Sequence, residues 1–188
     1  MPSFVRIVRY TVLAAALAFV PLTAAAQPAA EPNTITLTPF LSSAFDTSDG
    51  LGKSLGVGVA VGYDLTTRLG FEAELGHVFD VIGDDANVDL SLTNVTGNVV
   101  YNFRAPHITP YATFGVGIEH AALSVTTPDP AANYLPSSTE VGWNFGGGVK
   151  YPISELFVAR ADVRRFQFKD LAPDYWRVYG GLSWWIKR

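Results

Sequence analysis

Three short connectors and four longer ones, taking turns between runs of alternating residues, constrain this chain more than any other feature. The short ones are Asp64-Leu65-Thr66-Thr67, Arg104-Ala105-Pro106-His107 and Pro152-Ile153-Ser154-Glu155. The longer ones are polar and run from Asp46 to Lys53, Asp80 to Asn87, Thr126 to Ser138 and Lys169 to Asp174. Eight antiparallel strands joined in this way put every tight turn at one end and every loop at the other. A closed up-and-down barrel has that layout, and closure removes the free edges that an open sheet carries.

The runs themselves alternate with period two. Leu55, Val57, Val59, Val61 and Tyr63 share one face, and Gly56, Gly58, Ala60 and Gly62 the other. Leu69, Phe71, Ala73 and Leu75 oppose Gly70, Glu72, Glu74 and Gly76. Later runs repeat the pattern: Ala112 to Ile118 against Tyr111 to Glu119, Val141 to Tyr151 against Glu140 to Lys150, Phe157 to Val163 against Val158 to Arg164, and Trp176 to Ile186 against Arg177 to Ser183. Such alternation marks strands with one apolar face. Two runs depart from it. In the fourth, Val88, Leu90 and Leu92 are out of phase with Val95, Val99, Tyr101 and Phe103, which predicts a bulge near Thr93-Asn94 or an upper part outside the membrane. In the first, Pro39 lacks a ladder donor and should mark a bulge or a late strand start.

Which face points outward follows from composition. Charged residues make up 16% of the chain, against roughly 25% in ordinary soluble domains. The polar face is mostly Gly, Ala, Thr and Asn with isolated charges, whereas a soluble, lipocalin-like barrel would show many Lys and Glu in water. Small inward residues suit the narrow interior of eight strands. Aromatics gather in two bands: Tyr63, Tyr101, Phe103, Tyr151, Phe157 and Trp184 near the short turns, and Phe45, Phe79, Trp143, Phe166 and Trp176 near the loops. Two bands match the two headgroup layers of a membrane. The expected fold is an all-β, eight-stranded antiparallel up-and-down transmembrane β-barrel.

Arg6 and Arg9, the short apolar stretch Thr11 to Val20, the break at Pro21 and the small residues Ala24-Ala25-Ala26 have the anatomy of a secretory signal peptide. Residues 1–26 are therefore expected to be removed, leaving residues 27–188 as the barrel domain. The chain has no Cys, so no disulfide framework contributes. With 13 basic against 17 acidic side chains, and no basic stripe, nucleic acid is excluded as a partner.

Thr109-Pro110-Tyr111-Ala112-Thr113-Phe114-Gly115-Val116-Gly117, Gly142-Trp143-Asn144-Phe145-Gly146-Gly147-Gly148-Val149-Lys150-Tyr151 and Ala159-Arg160-Ala161-Asp162-Val163-Arg164-Arg165-Phe166 resemble small OmpA/OmpX-type outer-membrane barrel domains over nearly the whole mature chain. The resemblance implies insertion into an outer membrane by the barrel-assembly machinery. Many such proteins end on an aromatic residue, whereas this chain ends Trp184-Trp185-Ile186-Lys187-Arg188.

Chemistry is sparse. The three histidines are His77, His107 and His120, and none has the Ser spacing of an acyl hydrolase. His77 near Asp80, Asp84 and Asp85 is the faintest hint of a protease-like pair. No catalytic residue, metal ligand or cofactor is expected. The inward charges are expected instead to form a structural ion network: Glu72, Glu74, Glu119, Glu140, Lys150, Arg160, Asp162, Arg164 and Arg177, with Glu72 or Glu74 meeting Arg160 or Arg164 across the axis. An acidic crown of Asp46, Asp49, Asp80, Asp84, Asp85, Asp129, Asp170 and Asp174 falls at the loop end. It either keeps the loops soluble or holds divalent cations that bridge to lipopolysaccharide phosphates. The expected role is non-enzymatic: envelope integrity or surface interaction through acidic loops. The alternative is a narrow barrel that binds or transports small hydrophobic ligands. Oligomeric state stays open, with a monomer as the default.

Overall fold

The computed structural model describes residues 30–45, 54–79, 88–125, 137–168 and 174–187. They form eight strands: β1 (Thr34–Phe45), β2 (Ser54–Asp64), β3 (Leu69–Val78), β4 (Val88–Asn102), β5 (Thr109–Val125), β6 (Ser137–Pro152), β7 (Phe157–Phe168) and β8 (Tyr175–Lys187). Each pairs antiparallel with the next, and β8 pairs with β1, so the barrel is closed. Two of the three turns at one end are fixed by hydroxyls. Thr66 Oγ1 accepts from the Arg68 and Leu69 amides at 3.1 and 2.9 Å, and Ser154 Oγ accepts from the Leu156 and Phe157 amides at 3.3 and 3.2 Å. These local bonds are why Thr and Ser serve in such short connections.

Register sets the tilt. A row of paired residues leaves β6 at Thr139 and passes through His120, Thr93, His77, Val57, Leu41, Gly180 and Ala161. It returns to β6 at Val149, displaced towards the turn end. That spiral is the shear of a tilted barrel, typically about 35–45° from the axis.

Leu41, Leu55, Phe114, Val116 and Val141 point outward, the first two 71% and 75% exposed to the surroundings, whereas Glu72, Glu74, Asn98, Arg160 and Arg164 are buried in the lumen. This is a soluble protein turned inside out. Near the loop end the pattern inverts. Ala44, Val78, Leu92, Phe166 and Tyr175 form a buried apolar cluster inside the barrel, with Leu90, Ala121 and Phe168 packed against it. On the outer side of the same stretch stand His77, Ser91, Thr93, His120 and Thr139.

The inversion accounts for the phase change in the fourth run. Pairing passes unbroken through Thr93 and Asn94 on both sides of β4, so there is no bulge there. Leu92 is simply lumen-facing, and the strand's apolar side changes face. Phe166 is corrected for the same reason: it is 1% exposed and plugs the lumen rather than joining the outer aromatic band. Pro39 also departs from expectation. β1 runs through it, paired with Val59 of β2, and the register shift against β8 lies between Ile35 and Thr36. The β1–β8 ladder lapses at Thr38 and Pro39, where no proline N–H is present to donate. The seam is tied there from inside by the Thr38 and Ser183 hydroxyls, 2.7 Å apart.

The expected signal segment and the loop residues Asp46, Asp49, Asp80, Asp84, Asp85, Asp129 and Asp170 lie outside the described residues. Asp174 is described. It accepts from the Phe168 amide and Gln167 Nε2, both at 3.1 Å, and pairs with Arg165 at 3.4 Å, fastening β7 to the start of β8.

Candidate functional site

Period two sends every second side chain of β3, β7 and β8 into the lumen, and charged residues occupy those positions at mid-height. β3 contributes Glu72 and Glu74, β7 contributes Arg160, Asp162 and Arg164, and β8 contributes Arg177. β3 and β7 stand on opposite walls, so their long side chains meet across the axis. Arg160 pairs with Glu72. Arg164 reaches Glu72 at 2.9 Å, Glu74 at 3.1 Å and, on its own strand, Asp162 at 2.9 Å. Arg177 lies directly opposite Arg164 in the β7–β8 register and binds the other oxygen of Glu74 at 2.5 Å. One carboxylate thus holds apart two like charges that the register puts side by side. Three carboxylates face three guanidiniums, which is how so many charges can be buried together.

Tyrosines complete the shell. Tyr111 donates to Asp162 and accepts from Arg160 Nε at 2.8 Å, with the guanidinium 4.7 Å from its ring centre. Tyr179 accepts from Arg164 at 3.2 Å and stacks on Phe40 at 4.7 Å. Phe40 itself fits because residue 58 is Gly: a Cβ there would sit 2.2 Å from the Phe40 ring. Arg177 is layered 4.6 Å from the Phe166 ring, which joins the polar network to the apolar plug above it.

The other charges of the expected set lie apart. Lys150 stands 3.9 Å from Asp64 near the turns. Among the described residues Glu119 forms no salt bridge. It accepts from Tyr175 at 2.7 Å, and Asn94 in turn donates to Tyr175 at 3.0 Å. Glu140 is paired in register with Glu119 on the neighbouring strand and is half-buried. Asp64, read as part of a short connector, is also a lumen residue, as are the three tyrosines and the Asn94, Asn98 and Asn144 amides, which charge did not flag. Tyr111, Tyr179 and Asn144 already fell on the polar face in the alternation, which was the available signal.

Among the described residues the lumen is packed at mid-height. A cavity of about 20 Å³ remains between Asp64, Glu72, Lys150 and Arg160, room for about one water. At the turn end Val158 and Trp185 form a second buried apolar pair. His77 and His120 face outward, bonded to Thr93 and Thr139, and His107 is exposed in the 103–108 turn. Asp80, the candidate partner of His77, lies outside the described residues.

A polar, ion-paired lumen inside an apolar exterior is the arrangement a bilayer demands of a barrel. Residues 12–184 match the model of the outer membrane protein beta-barrel domain. The chain belongs to that family. No curated protein sequence matches it significantly. Among solved structures, this outer membrane barrel is similar to the N-terminal β-barrel domain of Pseudomonas aeruginosa OprF, at 21% identity and a TM-score of 0.58 over 81% of this chain and 97% of that one. It is also similar to Neisserial surface protein A, at 15% identity and a TM-score of 0.64 over 80% and 95%. Ail, the attachment invasion locus protein of Yersinia pestis, matches at 15% identity and a TM-score of 0.53 over 81% and 95%. At these identities the likeness establishes the shared barrel fold.

Proposed function

We propose that the protein is a non-enzymatic outer-membrane barrel that serves envelope integrity or surface interaction through its loops. The observation that carries this reading is the packed lumen: Arg164, 0% exposed, is bound by Glu72, Glu74 and Asp162 at the centre of the bore. An interior so filled leaves little volume for a substrate or a transported compound, which disfavours the ligand-carrying alternative. The surface names of two structural neighbours, a surface protein and an attachment protein, lend support. In this reading residues 1–26 direct export, residues 27–188 are inserted by the outer-membrane assembly machinery, and no cofactor or catalytic metal takes part. The acidic loops contact lipopolysaccharide through divalent cations, which bind oxygen ligands of this kind.

An even number of strands returns both chain ends to the periplasmic side and sends the four longer connections outward. A broad-specificity protease added to intact cells is therefore expected to cleave within segment 126–136, which carries Pro128, Pro130 and Pro136, and to spare the strands. Cleavage confined to Arg104 or Glu155 would reverse the orientation and remove the basis for a surface role.

A further inference from the structure

The outer wall formed by β3 to β6 carries one continuous polar row: His77, Thr93, His120 and Thr139 are successive partners across four strands. Within it a unit repeats. His77 Nδ1 lies 2.8 Å from Thr93 Oγ1, and His120 Nδ1 lies 2.8 Å from Thr139 Oγ1. When the threonine hydroxyl gives its hydrogen to Nδ1, the ring hydrogen resides on Nε2, the nitrogen the pair does not use, as an outward donor. A protonated ring donates from the same atom and adds a positive charge. Among the described residues neither imidazole has a carboxylate partner. The two units are two strands apart, roughly 9–10 Å.

The adjoining row on the turn side is wholly apolar. Leu75, Val95, Ile118 and Val141 are successive partners on the same outer face, each well exposed. Below them the Phe114, Trp143 and Phe145 rings form a platform, with centroids 6.1 and 5.5 Å apart. Donors thus border an apolar surface on a wall that no other described element covers. That sequence of chemistries, phosphate-seeking donors and then a bed for hydrocarbon, is the mirror of a phosphorylated lipid.

We propose that this row is a docking site for the phosphates of an outer-leaflet lipopolysaccharide headgroup. His77 and His120 donate from Nε2, Thr93 and Thr139 orient them, and the acyl chains lie on Leu75, Val95, Ile118 and Val141. The assignment rests on the outward orientation of the loops, which places this row at the outer leaflet. It differs from the loop contact because it needs no divalent cation.

The test uses the full-length protein purified from outer membranes into an alkyl-glucoside detergent, with EDTA present to remove cation bridges. The probes are bisphosphorylated lipid A, the same lipid after dephosphorylation, and inorganic phosphate; the readouts are affinity and the imidazole nitrogen resonances. Lipid A is expected to shift both histidine signals. The paired substitution His77→Gln with His120→Gln is expected to weaken binding about tenfold or more, and Thr93→Val with Thr139→Val to weaken it less. Equal binding by the histidine variant, or equal binding of the dephosphorylated lipid, would overturn the site. Inorganic phosphate binding as tightly as lipid A would overturn its assignment to a lipid. Inward-facing loops in the protease experiment would overturn the orientation instead, and would leave this affinity measurable.

Discussion

Glu74→Ala is expected to lower the unfolding free energy of the barrel by about 3–5 kcal/mol, the usual cost of stranding a buried charge. Arg164 and Arg177, 0% and 1% exposed, face one another across β7 and β8, and Glu74 bonds both. Arg164 retains Glu72 and Asp162 in the variant, but the ion pair of Arg177 is lost. Replacing both partners, Glu74→Leu with Arg177→Met, is expected to cost less than the single change, because no unpaired charge remains. Urea titration of the protein in lipid vesicles gives both values. A loss below about 1 kcal/mol for Glu74→Ala would mean that water, not Glu74, solvates these guanidiniums.

The inversion near the loop end makes an equally large contrast between two neighbours on one strand. Leu92→Ala is expected to destabilise by about 2–5 kcal/mol, since Leu92 is buried among Ala44, Val78, Phe166 and Tyr175 and leaves a cavity. Val95→Ala, on the outer face of the same strand, is expected to cost about 1 kcal/mol or less, because lipid chains relax into the space. The same unfolding assay ranks them. Equal effects would place Leu92 on the outer face.

Period-two alternation made the barrel legible because a strand shows its two faces in any stretch of a few residues. Charges on the polar side, such as Glu72 and Arg164, declared the lumen in the same way. Partner choice was not legible. Whether Glu74 meets Arg160 or Arg164 depends on the register of all eight strands at once, and a one-step change in shear would re-pair them. Phe166 was misplaced, and the phase change at Leu92 was read as a bulge or as an upper part outside the membrane, for another reason. Apolar residues read as lipid-facing in a membrane barrel, yet the lumen above the ion network is itself apolar. Tyr111 and Tyr179 were on the correct face but carried no role in the sequence, since only the structure brings their hydroxyls to Asp162 and Arg164. Pro39 marked a lapse in the ladder rather than a bulge, because hydroxyls of two other residues close the seam.

The most direct test of a sealed, ion-paired lumen is electrical. After insertion into a planar bilayer, verified by protection of the strands from protease, the protein is expected to pass no steady ion current at either polarity, because Glu72, Glu74, Asp162, Arg160, Arg164 and Arg177 fill the bore at mid-height. A sustained ohmic conductance through the wild-type barrel would contradict the packed lumen and favour the transport alternative.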